Sequence, residues 1–195
     1  MAFTVENARD LISPWLHVFM YGNTGTAKTL SAATFPNAFF IVPENEQSIV
    51  TLKGLDVPFV RVSDRATFDE VLRSVEDAFH KGGEQALRDQ VGDTLVIESL
   101  SHYIDLVIED LTSNGKQMDQ RLWGVVASHF RNMQSRLRKL PIHVVYTALA
   151  EEVTDAEGKV ASVRPMIAGQ TKLKLPSACD IIMYLEALPG KPPIY

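Results

Sequence analysis

Tyr21-Gly22-Asn23-Thr24-Gly25-Thr26-Ala27-Lys28-Thr29 has the length, the opening glycine and the closing Lys-Thr of a phosphate-binding loop, G-x-x-x-x-G-K-[ST], with Ala27 where the second glycine belongs. Such a loop works by turning successive backbone N–H groups inward ahead of a helix N-terminus, with a lysine for the outer phosphates and a hydroxyl for Mg²⁺. Here Gly22 and Gly25 let the backbone turn, and Asn23, Thr24, Thr26 and Ala27 complete the cradle. Lys28 is the phosphate lysine and Thr29 the Mg²⁺ hydroxyl. Ala27 is expected at the start of the helix with ordinary helical torsions, so its cost is crowding by one methyl group.

The flanks supply the context the motif needs. Leu16 to Tyr21 is a short apolar run ended by glycine, the signature of a buried strand, and Lys28 to Thr34 follows as a helix stopped by Phe35-Pro36. Ala38 to Val42 and Pro58 to Val62 are two further strands. Asp64 is placed to cap a helix whose apolar positions Phe68, Val71, Leu72, Val75 and Phe79 recur at helical spacing before Gly82-Gly83 ends it. Asp93 to Glu98 is a strand ending in a carboxylate, about Gln117 to Leu140 a long helix, and Ile142 to Thr147 the next strand. Val153-Thr154 and Lys159 to Val163, around a polar turn, form a hairpin, and Asp180 to Leu185 is one more strand. Alternating strands and helices predict an α/β fold, a mostly parallel sheet with helices on both faces and a β-hairpin in the C-terminal part.

The 195 residues suit a single domain over 1–195, with 46% hydrophobic and 22% charged residues. Pro192 to Tyr195 reads as the opening of another strand, so a truncated C-terminus is expected. A net charge of −5 advertises neither nucleic acid nor an anionic membrane, so any such contact needs a local basic patch. One cysteine, Cys179, cannot form an internal disulfide, and no apolar run is long enough to span a bilayer. A cytoplasmic protein is expected, in a host cytoplasm if phage-encoded.

Three later strands end in polar residues that could complete a nucleotide site. Glu98 closes Leu95-Val96-Ile97 where an acid would hold the water shell of Mg²⁺; its alternative is a solvated strand-end acid. Glu44 and Glu46 follow the strand ending at Val42, and a carboxylate there could orient the attacking water. Glu44, nearer the strand end, is preferred, with two solvated loop acids as the alternative. Thr147 ends its strand either as a γ-phosphate sensor or as a buried, satisfied hydroxyl.

Together these residues resemble the RecA-like P-loop ATPases, most closely bacteriophage nucleotide-binding proteins of the recombinase and single-strand-annealing type. The resemblance extends through Phe40 to Glu44, Thr94 to Ser99, Trp123-Gly124, Leu140 to Ala148, Pro165 to Gly169 and Leu175 to Asp180. It implies a RecA core, Mg²⁺-dependent ATP hydrolysis and assembly on single-stranded DNA as a homo-oligomer, ring or filament, with a single-strand-binding protein as a further partner. By resemblance, Glu44 matches the water-activating glutamate, Glu98 the Walker B acid and Thr147 the sensor. Ala27, Glu98 and Leu149, where relatives often have His, depart from the family pattern, as does the absence of a C-terminal Lys-Asp-Arg-type segment. Turnover is therefore expected to be slow or assembly-dependent.

DNA contact would fall to Arg131, Arg136, Arg138 and Lys139 at the end of the long helix and to Lys172 and Lys174. Basic residues late in a helix also simply favour its dipole. Arg164 reads as a surface charge rather than an inter-subunit arginine finger. The alternatives to a DNA-dependent ATPase are a nucleotide switch or scaffold for replication proteins and, third, a P-loop kinase, for which no compact arginine-rich lid is visible.

Overall fold

The computed structural model describes residues 15–169 and 171–187, so the Pro192 to Tyr195 segment lies outside the described residues. Its framework is a sheet ordered β3-β2-β4-β5-β1-β7, built from β1 (His17–Gly22), β2 (Ala38–Pro43), β3 (Phe59–Val62), β4 (Thr94–Ile97), β5 (His143–Thr154) and β7 (Ile181–Leu185). All neighbours along this path are parallel. A parallel sheet covered on both faces needs apolar residues on both sides, and β4 is buried at every position. The second half of β5 leaves the sheet path and pairs antiparallel with β6 (Val160–Pro165), which is the expected hairpin. Asp155 makes its turn, accepting from the N–H groups of Glu157 and Lys159, both at 2.9 Å.

The two faces are unequally covered. One packs Phe19, Ile41, Leu95, Ile97 and Tyr146 against α2 (Arg65–Val91), α3 (Leu100–Thr112) and α4 (Gln120–Leu137). The other, with Val18, Met20, Phe40, Val42, Val96 and Val145, is covered by the short α1 (Lys28–Ala32) and a 3₁₀ turn at Ser48–Leu52. α5 (Thr171–Lys174) follows β6.

Several elements differ from the sequence expectation, among them β5, which runs on to Thr154, and the short α5 where a loop is expected. α1 ends at Ala32 rather than Thr34, closing in a tight turn where Phe35 N–H donates to Ala32 O. α2 does not stop at Gly82-Gly83. Gly83 takes φ 72°, which kinks the helix, and the chain resumes helical form because Leu87 and Val91 complete the buried face. α3 is an element the sequence expectation did not contain. Asp64 does cap α2, accepting from Thr67 N–H at 2.7 Å.

Candidate nucleotide site

The loop after β1 lies at the C-terminal edge of the parallel sheet, where such folds open a crevice. Gly22 is required by contact: a Cβ there would lie 2.3 Å from Leu185 O of β7 and 2.7 Å from Thr26 Oγ1. Gly25 turns the chain with φ +83°. Ala27 adopts φ 60°, ψ 25°, the left-handed region, so the expectation of helical torsions is corrected. Its cost is a conformation disfavoured for a residue with a Cβ, not crowding by a methyl group. Ala27→Gly is accordingly expected to stabilise the fold by about 1 kcal/mol; an unchanged or lower melting temperature would show that the strain is absent.

Lys28 is buried, and its Nζ donates to Gly22 O at 2.9 Å and Asn23 O at 2.8 Å. Burial lowers its pKa, opposed by the charges of Glu98 and Glu46. Thr29 Oγ1 donates to Glu98 Oε1 at 2.8 Å, and Ser48 Oγ donates to the same oxygen at 2.8 Å. Glu98 is 1% exposed and its Oε2 is buried without a partner. Burial pushes its carboxyl above the usual glutamate range, while the hydroxyls of Ser48, Thr147 and Thr29 pull the other way.

Glu44 is exposed and does not line the cavity, whereas Glu46 is buried and forms part of its wall. The chain turns after β2, with Glu46 N–H donating to Pro43 O, and that turn brings the third residue past the strand inward in place of the first. Glu46 Oε1 accepts from Ser48 N–H at 2.8 Å, and Oε2 lies 2.6 Å from His102 Nδ1. Burial alone would raise the Glu46 pKa, but the hydrogen bonds from His102 and Ser48 bring it down to about 2. The His102 pKa is raised in turn, chiefly by that bond.

These groups surround a cavity of about 610 Å³ to which Thr24, Gly25, Ala27, Lys28, Thr29 and Glu98 contribute. That volume is sufficient for a nucleotide. Gly22, Asn23 and Thr26 shape the loop behind it, with Thr26 Oγ1 donating to Asn23 O. Thr147 is fully buried beneath the site and donates to Ile97 O at 3.3 Å, one residue before Glu98. Leu149 borders the cavity, and its N–H donates to Ser101 Oγ.

No group of three or more His, Cys, Asp or Glu that could hold a metal occurs among the described residues. The donors nonetheless fit Mg²⁺, which keeps several waters and binds through few protein oxygens plus phosphate. Thr29 Oγ1 and the unpartnered Glu98 Oε2 are such oxygens.

The basic residues are not gathered into one patch. Arg136 is bidentate to Glu76 at 2.6 and 2.7 Å, and Arg138 is bidentate to Asp180 at 2.7 and 3.0 Å. Exposed Arg131 and Lys174 share a small hollow between α4 and α5. Lys172 is half-buried on the same short helix α5 as Lys174, where a loop is expected, and Lys139 is exposed and borders a different hollow with Trp15. Arg164 pairs with Glu151 across the hairpin. Among residues the sequence did not single out, Ser48 carries no local signal. His102 lies in the first turn of α3, which starts two residues after Glu98, so it stays near the same strand end.

A parallel sheet with a phosphate-binding loop leading into α1 and an acid ending β4 defines a P-loop NTPase of RecA-like fold. The chain matches the AAA domain family over residues 16–191 and belongs to it. No curated protein matches it. Among solved structures it is similar to the RadB recombinase, at 16% identity and TM-score 0.50, over 89% of this chain and 76% of that one. It is also similar to a KaiC-like protein from the hyperthermophilic archaeon Pyrococcus horikoshii OT3, at 14% identity and TM-score 0.48, over 88% and 72% of the two chains. Among the described residues no helix is long and apolar enough to cross a membrane.

Proposed function

We propose that residues 1–195 form one RecA-like domain that binds ATP with Mg²⁺ and hydrolyses it, and whose nucleotide state controls its assembly on single-stranded DNA. The observation that carries the ATP site is the hydrogen-bonded chain Thr29–Glu98–Ser48–Glu46, which joins a cation hydroxyl to a buried carboxylate on one cavity wall. Lys28 meets the outer phosphates, and Thr29 and Glu98 hold the hydrated cation. Mg²⁺, when bound, neutralises charge on the phosphates. Glu46, in place of Glu44, orients the attacking water as a hydrogen-bond acceptor. Thr147, tied to the carbonyl before Glu98, passes nucleotide state from β4 to β5 and the hairpin.

The recombination or annealing role, of bacteriophage type, draws support from the motif resemblance, as do a homo-oligomeric ring or filament and a single-strand-binding partner. For DNA, Arg131 and Lys174 are the cations best placed, since Arg136 and Arg138 are committed to carboxylates. A second reading, a nucleotide switch with little turnover, is favoured by one observation: both Glu46 oxygens are already engaged.

Phosphate release with and without single-stranded DNA separates the two. Stimulation of about tenfold or more by DNA, weakened in Arg131→Glu/Lys174→Glu and by salt, is the expected result. Tight ATP binding without turnover under every condition would leave only the switch.

A further inference from the structure

We infer that His102 is a positioning residue: it fixes the Glu46 carboxylate at the cavity wall so that the carboxylate meets the attacking water in one orientation. The inference rests on the ATPase reading above and adds a residue to it.

The loop that carries Glu46 is held independently of its side chain. Arg61 Nη1, reaching across from β3, donates to Glu44 O at 3.0 Å and to Glu46 O at 3.4 Å. With the backbone held, one carboxylate oxygen is fixed by Ser48 N–H and the other by His102 Nδ1. Loss of the first contact would disturb the 3₁₀ turn, whereas loss of the second frees only the side-chain torsions. His102 is itself located by α3, whose first turn follows directly on Glu98, and its Nδ1 also lies 2.8 Å from Ser99 Oγ. The ring is thus tied to the end of β4, and through it the orientation of Glu46 is referred to the strand that carries Glu98. An acceptor that wanders by about 1 Å can cost on the order of a hundredfold in rate, so a positioning contact has measurable value. The depressed Glu46 pKa agrees with this, since an ionised acceptor orients water without having to titrate.

The test uses the full chain with ATP and Mg²⁺. His102→Ala is expected to lower kcat by about 10- to 100-fold while the Kd for a non-hydrolysable ATP analogue changes by less than about threefold. His102→Asn places an amide N–H near the position of Nδ1 and is expected to recover most of the lost rate. In a Glu46→Gln background, His102→Ala should cost nothing further, because the group it positions is already disabled. An unchanged kcat in His102→Ala, no recovery in His102→Asn, or fully additive losses with Glu46→Gln would each overturn the assignment. If the unmodified protein releases no more phosphate than Lys28→Ala, the ATPase reading itself fails and takes this role with it. A normal wild-type rate with an insensitive His102 removes only the latter.

Discussion

Replacing Lys28 by alanine is expected to lower ATP turnover by about two to three orders of magnitude. The Nζ group is the one positive charge that the cavity wall supplies from within the loop, and it faces the carboxylates of Glu46 and Glu98. Without it, the triphosphate would enter a wall whose remaining charged groups include two acids, and like charges at such distances repel strongly where water is scarce. The lysine currently bonds the loop's own carbonyls, Gly22 O and Asn23 O, so phosphate must compete for it. That competition is favourable because an ammonium–phosphate bond is charge-assisted at both ends. Lys28→Arg is not expected to rescue, since the planar guanidinium cannot occupy a pocket shaped for a point charge. Steady-state phosphate release together with nucleotide titration measures both effects. Retention of turnover in Lys28→Ala would mean that the loop is not the nucleotide site.

Acid should destabilise the protein through a second buried group, at the opposite end of β1 from the phosphate-binding loop. His17 opens β1, is 2% exposed, and its Nδ1 has no partner. Burial and then the charge of Arg138 lower its pKa from 6.5 to about 4, against an opposing effect of Asp180. The folded state therefore holds this imidazole neutral where the unfolded chain would protonate it. The associated stability is complete above the unfolded pKa, is lost as pH falls from about 6.5 to about 4, and amounts to about 3 kcal/mol. Urea unfolding at about pH 7 and about pH 4.5 should show most of that loss. His17→Gln, which does not titrate, should lose correspondingly less across the same interval. An equal acid loss in the variant would assign the effect to other groups, such as Asp180, whose pKa is held down chiefly by Arg138.

The parts of the molecule that were legible from sequence carry their signals locally. The glycine-containing loop after an apolar run, the Asp64 cap and the polar hairpin turn at Asp155 each depend on residues a few positions apart, and each appears in the structure. What was not legible depends on contacts distant in sequence or on missing punctuation. α3 begins directly after the β4 strand end with no separating loop, so the apolar run of the strand merges into that of the helix and hides the boundary, although Ser99 is a favoured N-cap residue and Leu100, Tyr103, Ile104 and Val107 keep helical spacing. The Gly82-Gly83 pair looks like a stop because glycine is a poor helix former, but that penalty of about 1 kcal/mol per residue is outweighed by burying Leu87 and Val91. That Glu46 rather than Glu44 is buried at the cavity follows from a reverse turn after Pro43, which the strand pattern does not encode. The ion pairs of Arg136 with Glu76 and of Arg138 with Asp180 join residues 60 and 42 positions apart, so their commitment is invisible to a count of basic residues.

The unequal covering of the sheet divides the protein into regions of different local stability. The face under α2, α3 and α4 carries the larger core, while the phosphate-binding loop and the Ser48–Leu52 turn belong to the side covered by short elements. Small opening fluctuations there expose little apolar surface and need not disturb the helical side. Ser48 and Glu46, which complete the carboxylate chain, belong to this lighter layer, whereas Glu98 is anchored at the end of the central strand β4 and His102 on α3 of the heavier layer. Amide exchange should accordingly be slow in β4 and the body of α3 and faster across residues 46–52. The site can loosen from one wall to admit and release its ligand while the other wall keeps its shape.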